Sequence, residues 1–306
     1  MMKNRSEVFN PRCRGTYHVY TRCVRSGWLL SKGDRERRGR LLELLEELAA
    51  IYGIAILASA FLSNHFHLIL VNLPELVDRW SDREVLLRAQ RAYPHRFARM
   101  GIHRAPTDEQ MQILLRDRKL IKEMRRRLSD ISWMMRMLKQ RFAAEMNKET
   151  GDKGHFWSGR FKMVEITSES QLIVTMIYVA LNQVRAGQAT SLDTSFWTSV
   201  CWQLQAREQA LAGNLDEADR RAGFLSPLCS QGAPPAKIAG GTLNSRRASD
   251  APALEMTMDD FVRLANCALA LSSGSAKRPS PEVASLLERA NMSAVELELA
   301  ASQHIV

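Results

Sequence analysis

Two histidines two residues apart, His65 and His67, open the apolar run Asn64-His65-Phe66-His67-Leu68-Ile69-Leu70-Val71-Asn72. A run of that make-up reads as a β-strand. Residues i and i+2 of a strand project to the same face, so the two imidazoles point together. Neutral imidazole is a common ligand of divalent metals. The pair makes a metal site wherever a third ligand exists; otherwise it is two histidines alternating on a half-exposed strand. Far along the chain, Tyr178, Asn182 and Arg185 recur at i, i+4 and i+7, which sets them on one face of a helix, opposite Ile173, Ile177, Ala180 and Val184. A line of phenol, amide and guanidinium suits an active-site wall. It equally suits a tyrosine packed on a sheet and an asparagine near a helix end.

The elements that must position these residues follow from periodicity and punctuation. Thr16 to Val24, rich in β-branched and aromatic residues, reads as a strand, broken at Ser26-Gly27. Leu41, Leu42, Leu44, Leu45 and Leu48 give helical spacing over 34–51, ended by Gly53. Ile54 to Phe61 is a continuous apolar run, a buried strand, joined by Leu62-Ser63-Asn64 to the histidine strand, which Pro74 stops. Residues 75–130 are polar and charged, with helical pieces separated by Pro94 and by 101–106, and read as a helical insertion. The stripe Ile131, Met134, Met135, Leu138, Phe142 and Met146 marks a core-facing helix. After a glycine-containing loop over 151–159, residues 160–166 alternate as a strand. Ser168 with Gln171 forms a capping box that opens the tyrosine helix, and Gly187 caps its end. Strand, helix, strand, strand, helix, strand, helix fits an α+β fold, an antiparallel sheet of about four to five strands with packed helices. A helical extension over 191–225, a linker rich in Ser, Pro, Gly and Ala over 226–253, and a small helical C-terminal region over 254–306 complete the chain.

Over 306 residues, 43 Lys and Arg stand against 33 Asp and Glu, a net charge of +10. The excess is local: residues 1–40 hold 11 basic against 3 acidic residues, and residues 116–162 hold 14 against 6. Two such blocks point to a polyanion-binding surface, or to solvated helix faces and a basic tail. The five cysteines are scattered with no Cys-x-x-Cys pair, which argues against a zinc module or a disulfide framework. The N-terminal stretch lacks a signal-peptide core, and no run of about 18 apolar residues occurs. A cytoplasmic protein with no membrane span is expected.

Ser63-Asn64-His65-Phe66-His67-Leu68 together with Ile177-Tyr178-Val179-Ala180-Leu181-Asn182-Gln183-Val184-Arg185-Ala186-Gly187 resembles the paired signature of the single-tyrosine HUH transposases, and among them the REP-associated tyrosine transposases. Phe156-Trp157-Ser158-Gly159-Arg160-Phe161-Lys162 resembles the segment that precedes the tyrosine helix in that family. The resemblance covers residues 12–190 as a catalytic domain, with 75–130 inserted, and implies a ferredoxin-like HUH core. It implies Tyr178 as nucleophile and His65, His67 and Asn182 as ligands of Mg²⁺ or Mn²⁺. One departure stands out: the family commonly has Asn-Pro-Val, and this chain has Asn182-Gln183-Val184, which leaves the aim of Asn182 open.

The implied reaction is metal-dependent cleavage and transfer of DNA strands, on single-stranded or hairpin DNA, through a 5′-phosphotyrosine. Arg22, Arg160, Lys162, Arg185 and His18 are then candidates for contacting the nucleic acid, and Trp157, Phe156 or Tyr20 for stacking on bases. The enzyme would work as a monomer or a homodimer, with tyrosine and histidines from one chain or from two. The alternatives are a domesticated relative that binds hairpin DNA or RNA without cutting, and a metal-dependent phosphodiesterase that uses water.

Overall fold

The computed structural model describes residues 9–24, 27, 29–30, 35–151, 153–231 and 238–302. The basic first residues, Ser26 of the Ser26-Gly27 break, the start of the first expected helix at Asp34 and part of the expected linker lie outside them. Strands β1 (Gly15–Arg22), β2 (Ile54–Phe61) and β3 (His65–Asn72) come first, with helix α1 (Arg35–Ala49) between β1 and β2. Five helices follow: α2 (Pro74–Arg79), α3 (Asp82–Ala92), α4 (Pro94–Ala98), α5 (Asp108–Arg116) and α6 (Arg118–Leu128). Next come α7 (Ile131–Thr150), strand β4 (Lys162–Ile166) and α8 (Glu169–Arg185). The chain continues through α9 (Ser199–Leu211), α10 (Leu215–Ala222), the short strands β5 (Cys229–Gln231) and β6 (Leu254–Thr257), and α11 (Met258–Ser272), α12 (Pro281–Arg289) and α13 (Ala294–Ala301).

β1 to β4 form one antiparallel sheet in the order β2-β3-β1-β4, and with α1 and α7 they make the β-α-β-β-α-β arrangement of a ferredoxin-like core. The fold is α+β, with four strands in the main sheet and a separate two-stranded parallel sheet of β5 and β6. Alternation splits the sheet's side chains between two cores. Tyr17, Val19, Ile54, Ile56, Phe61, Phe66, Leu68 and Leu70 bury against Leu41, Leu44, Leu45 and Leu48 of α1 and against Met134, Met135, Leu138 and Phe142 of α7. Ala55, Ala58, Ala60, Ile69 and Val71 face the other way, against α8 and the C-terminal helices. A register shift between Ile56 and Ala58 reverses parity along β2, which is why Ile56 and Phe61 can share a core.

The insertion of α2 to α6 is tied to the body by Arg88. This buried guanidinium donates to the carbonyls of Ala50, Ile51 and Thr242, pairs with Glu84, and lies 4.0 Å from the centroid of the Trp80 ring. Trp80 Nε1 donates to the Gly241 carbonyl at 3.0 Å. Residues 238–253, whose composition reads as a linker, are therefore packed against the insertion. Ser245, Arg247 and Ala248 are buried, and Arg247 donates to the Leu225 carbonyl. Small residues here serve close backbone approach: Gly241 sits at φ 81° against the side chain of Leu76. No helix among the described residues is long and apolar enough to cross a membrane.

Candidate active site

Strand register brings the sequence candidates together. His65 and His67 lie on the α8 side of β3, and β1 pairs with it so that Arg22 stands opposite His65 and Tyr20 opposite His67. Lys162 of β4 stands opposite Tyr20 on the other flank, its Nζ 5.6 Å from the centroid of that ring. α8 crosses above. Ser168 accepts from the Gln171 N–H at its start, while the Gln171 side chain accepts from the backbone N–H of Thr167. At its end Gly187, at φ 65°, and Gln188 donate back to Val184 and Gln183, the paired bonds of a Schellman cap. Thus fixed at both ends, α8 sets Tyr178 with its ring centroid 5.4 Å from that of His67 and 5.9 Å from that of His18. Tyr178 and the histidines belong to one chain. Tyr20, Thr21, Arg22, His65, His67, Ser158, Arg160, Lys162 and Tyr178 line a cavity of about 480 Å³, with no carboxylate on its wall among the described residues.

The hydrogen bonds around the two imidazoles define their free atoms. His65 Nδ1 is 2.5 Å from Asn64 Oδ1, an acceptor, so Nδ1 carries the proton and Nε2 keeps its lone pair. His67 Nδ1 is 2.9 Å from His18 Nε2, both rings being buried, and His67 Nε2 is buried with no partner. Were His18 the donor, His67 would hold its proton on Nε2, a buried N–H with nothing to accept it, at a cost of about 1–3 kcal/mol. The opposite arrangement, with His67 donating, leaves a lone pair there instead. Burial keeps all three rings neutral at physiological pH: it lowers His18 to about 4 and, with the charge of Arg22, His65 to about 4. His67 is lowered further by burial and then by His18, His65 and Arg185. Two neutral imidazoles whose Nδ1 atoms are engaged and whose Nε2 atoms are free fit a divalent cation. Among the described residues no group of three His, Cys, Asp or Glu side chains could hold one, so a third ligand from the protein would be of another type.

Asn182 is such a type, but it is turned onto its own helix, Nδ2 donating to the Tyr178 carbonyl at 3.0 Å, and it does not line the cavity. Arg185, half-buried, lies 4.7 Å from the Tyr178 ring centroid. Burial lowers its pKa and contact with Tyr178 partly offsets this, while Nε and Nη1 are buried without partners. Trp157 is buried, pairs with Cys23 in an isolated bridge and donates to the Lys139 carbonyl, so it is part of the wall between sheet and α7. Phe156 is buried beside it, while Tyr20 lines the cavity. Thr21 and Ser158 line the cavity without having been singled out by sequence. Ser158 belongs to the Trp157-Ser158-Gly159-Arg160 segment, and that membership was its one signal. Gln183, where a proline is common in the family resembled, is buried; its amide donates to the Phe61 carbonyl and accepts from the Trp197 N–H, joining α8 to β2 and to the loop before α9. Of the expected stripe, Ile173, Ile177 and Ala180 are buried and Val184 is half-buried, but most of the opposite face is buried too, because α8 is enclosed between the sheet and α11 and α13.

No family model matches the chain, and no curated protein matches it in sequence. Among solved structures it is similar to a REP-associated tyrosine transposase bound to a REP hairpin, at 14% identity and a TM-score of 0.38, over 67% of this chain and 86% of that one.

Proposed function

We propose that the protein is a metal-dependent enzyme that cleaves and transfers DNA strands, acting on single-stranded or hairpin DNA as a transposase does. The observation that carries this is the meeting of Tyr178 with His65 and His67 of the same chain in a cavity rimmed by Arg22, Arg160 and Lys162. The Tyr178 oxygen attacks the scissile phosphorus. The bond from phosphorus to the 3′-oxygen breaks, the tyrosine gives up its proton, the departing oxygen takes one up as a 3′-hydroxyl, and a 5′-phosphotyrosine remains. The link keeps the energy of the phosphodiester, so rejoining needs no nucleotide. Mg²⁺ or Mn²⁺ bound by the two Nε2 atoms and the Asn182 amide oxygen would supply polarisation of the phosphate, and a nitrogen-rich set favours Mn²⁺. Arg185 places a positive charge beside the nucleophile, its guanidinium carbon 4.7 Å from the Tyr178 ring centroid. In this reading Tyr178 works with His65 and His67 of its own chain, in a monomer or a homodimer. Five free thiols accord with a cytoplasmic setting.

The orientation of Asn182 favours a second reading, a domesticated protein that binds hairpins without cutting. One experiment decides. With Mn²⁺ and a labelled hairpin oligonucleotide, the wild type yields a covalent adduct stable to denaturing electrophoresis, and Tyr178→Phe binds equally but yields none. An adduct surviving in Tyr178→Phe removes the assignment; binding with no adduct in the wild type, and no metal requirement, supports the second reading.

A further inference from the structure

A second cavity, of about 730 Å³, opens beside the first and shares Arg160 with it. Its walls are one face of α7 and residues 154–161. Along α7, Ser132, Arg136, Lys139 and Ala143 fall on that face at helical spacing, while Met134 and Leu138 bury in the core. Among the described residues no carboxylate lines it. Arg136 is exposed and has no acidic partner among the described residues, and its guanidinium carbon lies 5.1 Å from the centroid of the half-exposed Trp133 ring. Lys139 lies 5.6 Å from the Trp157 ring centroid and donates to the Gly159 carbonyl, fastening the loop to α7. Phe156, Trp157 and Phe161 are buried beneath as an apolar floor.

We propose that this groove binds the stretch of single-stranded DNA continuous with the strand at Tyr178, an inference that rests on the strand-cleavage reading of the adjoining cavity. Cations along a groove with aromatic surface between them are how proteins hold single strands, phosphates on the charges and bases on the rings. Lys162 and Arg160 line the tyrosine cavity, and Arg160, Lys139 and Arg136 line the groove that adjoins it. An uncharged apolar ligand would leave Arg136 and Arg160 without counter-charge, whereas a strand supplies one phosphate per nucleotide.

The test uses fluorescein-labelled oligothymidylate, read by anisotropy across a salt series with metal chelated so that nothing is cut. Arg136→Gln should weaken binding several-fold and lower the slope of log K against log salt by about 0.7, one contact on a single strand. Arg278→Gln, at an exposed cation that lines neither cavity, should bind as the wild type does. Trp133→Leu should lower affinity by about tenfold through lost stacking. Should it fail to fold, Arg136→Gln still decides. Unchanged binding in Arg136→Gln, or an equal loss in Arg278→Gln, overturns the proposal. Adduct formation on a hairpin is scored separately: adducts with no groove effect remove the groove alone, and groove binding with no adducts removes the cleavage reading alone.

Discussion

Replacing His18 by Phe tests the tautomer logic of the site directly. The substitution keeps a flat ring at a position only 2% exposed but deletes the Nε2 that lies 2.9 Å from His67 Nδ1. Two effects should follow. Leaving the His67 Nδ1–H buried without an acceptor should destabilise the fold by about 1–3 kcal/mol. Freed of its partner, His67 can move its proton to Nε2, where it competes with metal, and loss of such an orienting partner weakens metal binding by about 10–100-fold. His18→Gln, whose amide oxygen can accept in the same place, should recover most of both. The assays are urea denaturation without metal, Mn²⁺ titration followed by electron paramagnetic resonance, and imidazole ¹⁵N shifts of the metal-free protein. The shifts should report the proton of His67 on Nδ1 in the wild type and in His18→Gln. Finding it on Nε2 in the wild type, or an unchanged Mn²⁺ affinity in His18→Phe, would refute the reasoning.

Other predictions draw on the same surroundings. His18 titrates at about 4 when folded and near 6.5 when unfolded, so between those values the unfolded chain binds more protons and stability falls as pH falls. About 3 kcal/mol should be lost across that window from this residue, with none regained below it, as denaturation midpoints in metal-free buffer from pH 7 to pH 4 can show. Gln183→Ala leaves the Phe61 carbonyl and the Trp197 N–H without their side-chain partner and should cost about 1–3 kcal/mol in the same assay; a change within experimental error would show that α8 is held without it. Gly187→Ala has open space for its Cβ but must adopt φ 65°, and about 1 kcal/mol of lost stability should follow from the backbone alone. Asn182→Ala should weaken Mn²⁺ binding while leaving hairpin binding in chelator unchanged; equal metal affinity would exclude the amide as a ligand.

Local signals carried most of the fold and half of the site. Strand period, leucine spacing and capping residues are written within a few residues of where they act, so β1 to β4, α1 and the ends of α8 were legible. The i, i+2 rule alone put His65 and His67 on one face. Two things were not legible, for opposite reasons. Residues 238–253 have the composition of a linker, but Gly, Ser and Ala also permit backbones to pack closely, and only the buried Trp80 and Arg88 of a distant segment, donating to Gly241 and Thr242, decide between those uses. The sequence of α8 is apolar nearly all round because its second face is covered by helices far along the chain, which no window of one helix can announce.

Asn182 and Gln183 show how the two kinds of information meet. With a proline at 183, the ring would remove an N–H and crowd the carbonyl four residues back, disturbing the turn on which residue 182 sits. Gln183 removes that disturbance and uses its own amide to bind the end of β2 and the loop before α9, so α8 stays regular through Arg185. In a regular helix the Asn182 amide can reach the Tyr178 carbonyl one turn back, and it does. The same glutamine that secures α8 thus leaves the Asn182 amide bound to its own helix. Introducing a proline with Gln183→Pro separates the two effects. It should cost stability, since the Phe61 carbonyl and the Trp197 N–H lose their partner. If a kinked turn is what frees Asn182 for coordination, it should also raise Mn²⁺ affinity relative to Gln183→Ala. Equal affinity in the two variants would mean that the amide leaves its carbonyl whenever metal binds, with no help from the backbone.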